Sequence, residues 1–334
     1  MMLALGAQDI RALVPMRDAI EMMKQVFALY SDGKTITPLR VPIGMPDGSG
    51  TVLFMPAYVP AGESSASAVG AKIVSVFAGN PAIGLPTINA LVVVVDPATG
   101  VPLGVLEGAT ITALRTGAVS GAATDLLARP DASTLAIIGA GVQGVTQAAA
   151  VCAVRDIAEI RVADINPQSV ATFAERLSVW APAMSTRVRG VPSAQAAVDG
   201  ADVICTATTA TSAVFDDAWV ADGTHINAVG AYTPEMQEIP DATLARAAIV
   251  VDAVEAAMHE AGDLIQAIAR GALSPERVRV ELGHVVTGAA PGRQDAAQVT
   301  FFKSVGNAIQ DMIVAGAAVE RAQARGIGQT LALT

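Results

Sequence analysis

The spacing of apolar positions divides the chain into stretches of different period. Between Asp9 and Tyr30, residues Met22, Met23, Val26, Phe27 and Tyr30 recur at helical spacing, which predicts one or two amphipathic helices. Thr51 to Pro56 and Gly70 to Phe77 then read as strands. Leu91 to Val95 is a wholly apolar strand ended by the turn Asp96-Pro97-Ala98-Thr99-Gly100. Strands joined without long crossovers predict an antiparallel or mixed sheet. After Arg115 the pattern changes. Ala118 to Leu127 reads as a small-residue helix stopped by Pro130.

From there apolar strands alternate with helices. The strands are Thr134–Ile138, Ile160–Ala163, Arg187–Val191, Val203–Thr206, His225–Val229 and Ile249–Val251, with helices over Gly144–Val154, Pro167–Trp180 and Ala194–Val198. That alternation is the signature of a doubly wound parallel sheet. A last apolar helix, Val305 to Arg325, falls outside it and is expected to return to the first domain. The predicted fold class is therefore α/β. A Rossmann-type doubly wound parallel sheet spans 118–304, beside a smaller α+β domain formed by 1–117 with the C-terminal 305–334.

Composition narrows the function. Apolar residues make up 52% and aromatics 4%, which suits parallel strands under small-residue helices. The formal charge of −10, with no basic run, argues against nucleic acid and anionic membrane as partners. Cys152 and Cys205 have no CxxC spacing and lie in apolar stretches, so both read as small core residues. The three histidines are far apart, and no metal site is expected. No apolar run approaches the roughly 20 residues that span a bilayer. The first residues turn polar too early for a signal peptide. A cytoplasmic location is the expectation.

The run LAIIGAGVQG sets Gly139, Gly141 and Gly144 in G-x-G-x-x-G spacing, after a strand and before a helix, with Asp164 twenty residues beyond Gly144. Each part has a reason. Gly139 permits the tight turn, Gly141 lets backbone amides approach a pyrophosphate, and Gly144 lets the helix sit close to the strand. The helix N-terminus offers free N–H groups to phosphates. Asp164 can accept hydrogen bonds from the adenosine ribose and would repel a 2′-phosphate. NAD(H) is thus favoured, with NADP(H) kept open. The competing reading, a glycine-rich turn with no ligand, has less of this context on its side.

The substrate side rests on fewer residues. Lys72 lies inside the apolar strand Gly70-Ala-Lys-Ile-Val-Ser, and periodicity alone allows either a buried cation or a snorkelling surface lysine. Arg115 precedes a helix of Gly, Ala and Ser with no acid beside it. Two cations near a nicotinamide would suit a carboxylate substrate.

The stretches GAKIVSVFAGNPAIGLPT, VVVVDPATGVPLGVLEG, ITALRTGAVSGAAT, IIGAGVQG, GTHINAVGA, EAGDL and FFKSVGNAIQD together resemble the ornithine cyclodeaminase and mu-crystallin family, in family order over most of the chain. The resemblance implies that Arg40, Lys72 and Arg115 hold the substrate carboxylate and that Lys72 handles the proton at the reacting C–N centre. It implies cofactor contacts at Thr87, Arg115, Val142, Gln143, Asp164, Thr206, Val229 and Ser304, and a substrate-side contact at Val305. It also implies a homodimer built through the first domain.

One departure bears on the reaction. Cyclodeaminases and the archaeal-type alanine dehydrogenase carry an aspartate where Tyr232 stands here, after Asn227-Ala228-Val229-Gly230-Ala231. A phenol is neutral near pH 7 and is no carboxylate partner for a substrate ammonium. Tyr232 is therefore either a catalytic discriminator or a loop packing residue, with Glu235 and Glu238 as nearby substitutes for the missing acid. The expectation is an NAD(P)H-dependent reductase of a small imino acid such as Δ1-pyrroline-2-carboxylate, giving the amino acid. The alternatives are an ornithine cyclodeaminase, an alanine dehydrogenase, or a protein that binds the nucleotide without turnover. His225 reads as a hydrogen-bonded core residue, His259 as solvated and His284 as loop. Asp311, in the last helix, reads as a capping or pairing residue rather than as chemistry.

Overall fold

A computed structural model of the 334-residue chain describes residues 2–62 and 67–332. The chain opens with β1 (Met2–Leu5), α1 (Ala7–Leu13), α2 (Met16–Ser31), β2 (Val41–Gly44), β3 (Thr51–Val59), β4 (Ala68–Val76), β5 (Ile88–Val95), β6 (Pro102–Glu107) and α3 (Gly108–Leu127). The alternating region follows as β7 (Thr134–Ile138), α4 (Val142–Val154), β8 (Glu159–Ala163), α5 (Pro167–Ala171), α6 (Phe173–Ser178), β9 (Arg187–Gly190), α7 (Ala194–Val198) and β10 (Val203–Thr206). Then come β11 (His225–Ala228), α8 (Asp241–Arg246), β12 (Ala248–Val251), α9 (Val254–Glu260), α10 (Gly262–Ala269), α11 (Leu282–Val286) and β13 (Thr300–Lys303). The chain closes with α12 (Ala308–Arg325) and β14 (Gln329–Leu331). Among the described residues, no helix is long and apolar enough to cross a membrane.

These elements form two compact units. Unit 1 comprises 1–115 and 307–334, and unit 2 comprises 116–306. Unit 1 is built on a mixed sheet of order β14-β1-β6-β5-β4-β3-β2, in which β1 runs parallel to β6 and the other pairs are antiparallel. Alternation along β4 and β5 turns Lys72, Val74, Val92 and Val94 to the covered face. There α12 packs across β3, β4 and β5.

The opposite face is apolar and open. Phe54, Ile73 and Leu91 stand beside one another across β3, β4 and β5, with Phe54 36% and Leu91 42% exposed.

Unit 2 is a parallel sheet of order β12-β13-β11-β10-β7-β8-β9. The chain winds outward from β7 through β8 to β9, then returns to β10 on the other side. This is the topological switch point beside which doubly wound sheets bind nucleotides, at the carboxyl ends of the strands. Strands β7, β10 and β12 are mostly apolar and buried, as helix layers on both faces require, while the edge strand β9 is largely exposed.

Several sequence expectations need correction. Arg115 does not precede a helix but lies inside α3, which starts at Gly108; Glu107 caps it by accepting from the N–H groups of Ala109 and Thr110, both at 2.8 Å. The predicted helix Pro167–Trp180 breaks at Thr172, which adopts neither the α5 nor the α6 geometry. The last helix begins at Ala308, capped by the Asn307 side chain, rather than at Val305. Gly306 has φ 89°, closed to a right-handed helix, and the buried residues before it form β13 instead. His284 lies in α11. The strands β1, β2, β6, β13 and β14 were not anticipated by the apolar pattern.

Candidate active site

The phosphate-binding turn sits between β7 and α4. Gly139 has φ 100°, and a Cβ there would lie 2.5 Å from the Ala207 carbonyl oxygen. A Cβ on Gly144 would fall 2.0 Å from the Gly139 carbonyl, so only glycine lets α4 approach the turn this closely. Gly141 differs: its Cβ would meet nothing within 4 Å. That open ground faces the first turn of α4, whose N-cap is Gly141 and which has no side-chain cap. Uncapped N–H groups and the positive end of the helix dipole fit a pyrophosphate. Val142 and Gln143 form this first turn, with Val142 62% exposed.

Asp164 stands just past β8. One oxygen accepts from the Ala140 N–H at 2.5 Å and the other from the Asn166 N–H at 2.7 Å. Each oxygen retains a lone pair, so the carboxylate is fixed in place yet able to receive ribose hydroxyls. Arg176 secures the same corner by donating to the carbonyls of Ala140 and Ser169.

The other expected cofactor residues of unit 2 lie at neighbouring strand ends. Thr206 ends β10, Val229 follows β11 and Ser304 follows β13. Their side chains are not simply presented outward. The Thr206 hydroxyl is buried and donates to Glu238 at 2.9 Å, and the Ser304 hydroxyl donates to Asp252 at 2.8 Å. Val305 is buried, with its N–H on the same Asp252 oxygen at 2.9 Å. Tyr232 stands in the loop after β11, 38% exposed.

Unit 1 gathers the cations. Lys72 is 1% exposed, and its Nζ lies 2.8 Å from Asp311 Oδ2 and 3.5 Å from Thr112 Oγ1. Arg115, on α3, approaches the other Asp311 oxygen through Nε at 3.3 Å and donates through Nη1 to Gln310 Oε1 at 2.5 Å. Burial pushes the Lys72 ammonium down from the ordinary 10.5 to about 8; the Arg115 and Arg40 charges add to the fall, and Asp311 opposes it. Arg40 is therefore part of the same electrostatic cluster. Thr87 is not tied to Lys72 by any described contact; its carbonyl accepts from the Phe77 N–H at 2.9 Å.

Asp311 is the pairing residue that the sequence allowed, and its partners are both cations. Asp263 and Asp252 were missed from sequence; with Glu238 they organise the strand ends of unit 2. One signal was available. Lys72 and Lys303 both sit in apolar strands, where an ammonium needs an acid, and Asp311 sits in an apolar helix, where an acid needs a cation. Nothing in sequence spacing matches the pairs. His225 is a core residue as expected. Burial drops its pKa to about 3, and its ring nitrogens meet Thr300 Oγ1 and Asn227 Oδ1.

Strand order, phosphate turn and the acid after the second strand define a dinucleotide-binding protein of the doubly wound class. The likeness extends well past that class. Residues 2–326 match the profile of the Ornithine cyclodeaminase/mu-crystallin family, and the chain belongs to that family. It is 39% identical over 331 residues to the Delta(1)-pyrroline-2-carboxylate reductase of Bacillus cereus, covering 99% of both chains. Among solved structures, it resembles the Thermococcus litoralis Delta(1)-pyrroline-2-carboxylate reductase in complex with NADH and L-proline. There the TM-score is 0.92 at 39% identity, covering 99% of this chain and 100% of that one. It also resembles an archaeal alanine dehydrogenase dimer with bound NAD, at TM-score 0.89 and 33% identity, covering 100% of this chain and 99% of that one.

Proposed function

We propose that this protein is an NADH-dependent reductase of a cyclic α-imino acid of the Δ1-pyrroline-2-carboxylate type, yielding proline. The observation that carries the reading is the buried Lys72–Asp311–Arg115 cluster, which holds two cations to one acid. It has capacity left for one anion, which a substrate carboxylate supplies. Arg40 and Arg115 hold that carboxylate, and the cation charge orients the imine. Lys72, kept charged by Asp311, donates its proton to the imine nitrogen and makes the ring carbon electrophilic. When bound, the reduced nicotinamide supplies the hydride. Hydride on carbon and a proton on nitrogen convert C=N to the secondary amine.

The same geometry weighs against the cyclodeaminase reading. Tyr232 offers no carboxylate, and Glu238 accepts from Thr206, Thr208 and Gly230 inside unit 2 rather than facing a substrate ammonium. Asp164, held by two backbone donors, disfavours a 2′-phosphate and so NADPH. The test is NADH oxidation on addition of Δ1-pyrroline-2-carboxylate, with proline formed in equal amount. Ornithine turnover to proline and ammonia, without imine reduction, would overturn the reading.

The protein acts as a homodimer that covers the open sheet face of Phe54, Ile73 and Leu91. An exposed apolar row across three strands in a chain of charge −10 favours a second copy over solvent. The Leu91→Arg variant should sediment as monomer where the wild type sediments as dimer. The free thiols Cys152 and Cys205 agree with a reducing, cytoplasmic setting.

A further inference from the structure

Glu238 is fully buried, yet each of its carboxylate oxygens receives two donors. Oε1 accepts from the Thr208 N–H at 2.6 Å and the Thr208 hydroxyl at 2.8 Å; Oε2 accepts from the Thr206 hydroxyl at 2.9 Å and the Gly230 N–H at 2.8 Å. Four donors fill the four lone-pair positions of a carboxylate. The backbone around Glu238 runs alongside the same loop: Gln237 N–H donates to the Ala210 carbonyl, and Val214 N–H to the Glu238 carbonyl. From behind, Asp263 accepts from the N–H groups of Glu238 and Ile239 and pairs with Lys303 at 2.8 Å.

The loop held in this way is the one packed on the phosphate-binding turn. Ala207, between the two threonines, presents the carbonyl against which Gly139 closes. On the β11 side the fit is equally close, since a Cβ on Gly230 would lie 2.3 Å from the Thr208 carbonyl and 2.4 Å from Glu238 Oε1. One side chain therefore ties the segment after β10 to the segment after β11, at the carboxyl ends where doubly wound sheets bind nucleotides.

We propose that Glu238 is a positioning residue for the nicotinamide dinucleotide: it locks the loops after β10 and β11 against the phosphate-binding turn and thereby sets cofactor affinity. The inference rests on the cofactor part of the reading above and is independent of which imine is reduced. It is tested with no substrate present, by titrating the full-length protein with NADH and following nucleotide fluorescence alongside thermal denaturation.

Glu238→Gln replaces an acceptor by an NH2 group facing donors, and should weaken NADH binding about tenfold. Thr208→Val removes one of the four donors and should weaken it less, in the same direction, in a chain that keeps the lock. Asp202→Asn is the comparison, because Asp202 makes a similar network with Ser133, Thr134 and Arg129 at the opposite ends of β7 and β10. It should lower the melting temperature and leave NADH affinity unchanged. Affinity retained in Glu238→Gln and Thr208→Val despite a lower melting temperature would overturn the proposal, as would equal loss of affinity in Asp202→Asn. A wild-type protein that binds no NADH would overturn the cofactor reading and this inference with it, whereas failure of imine reduction alone would leave the inference standing.

Discussion

The two units bury charge in opposite balance. In unit 1, Lys72 and Arg115 surround the single carboxylate of Asp311. In unit 2, the carboxylates of Glu238, Asp263 and Asp252 accompany the single ammonium of Lys303. Taking an ion out of water costs several kcal/mol, so each cluster needs compensation. The two find it differently. Asp252 accepts from Ser304, Val305, Gly306 and Ala253, and Glu238 from Thr206, Thr208 and Gly230, so backbone and hydroxyl donors saturate these acids. Their effect is to fix loops. The unit 1 cluster is not saturated: Lys72 and Arg115 share one acid, and the buried Gln310 Nε2 has no hydrogen-bond partner among the described residues. On the proposed reading, the buried charge with capacity left receives the substrate anion, and the buried charge without it holds the site in shape.

This contrast can be broken experimentally. The largest effect belongs to Lys72. Lys72→Met keeps the volume and removes the proton donor, so kcat for imine reduction should fall about 10³-fold while NADH affinity, measured by fluorescence titration, stays near wild type. A comparable loss of NADH binding would mean that Lys72 belongs to the cofactor half-site. Next comes Asp263→Asn, which strands Lys303 in the interior. A cost of about 3 kcal/mol should appear as a melting temperature lowered by roughly 5–10 °C.

The smallest effect is a displacement rather than a loss. With Lys72 as the proposed proton donor, kcat/KM for the imine should decline as pH rises through its pKa of about 8. Asp311 raises that pKa. Asp311→Asn should therefore move the alkaline limb to lower pH, compared with wild type on the same substrate. An unmoved or upward-moved limb would show that Asp311 does not control the charge on Lys72.

Much of the frame is legible in the amino-acid sequence, for a physical reason. Strands β7 and β10 are buried on both faces, so they stand out as apolar runs, and Gly139 and Gly144 of the phosphate turn are forced by approaches as short as 2.0 Å at Gly144. Strand β13 was hidden because its apolar residues merge with those of α12, and only the positive φ of Gly306 parts them. Lys72, Arg115 and Arg40 were picked out by residue type and by family likeness, while Asp311 was read only as a cap or a pair and Glu238 only as a substitute acid, neither with its partners. Asp311 meets Lys72 across 239 positions of chain, and a pairing that distant leaves no periodic trace. Glu238 sits in a loop of ordinary composition, and its four donors come from the ends of two other strands.

The most direct test of the account uses NADH carrying deuterium at the transferable position of C4, with Δ1-pyrroline-2-carboxylate as acceptor. The account predicts proline bearing one deuterium on the carbon next to its carboxylate, formed in step with NAD+. Proline without deuterium, or oxidation of NADH that leaves the imine intact, would contradict it.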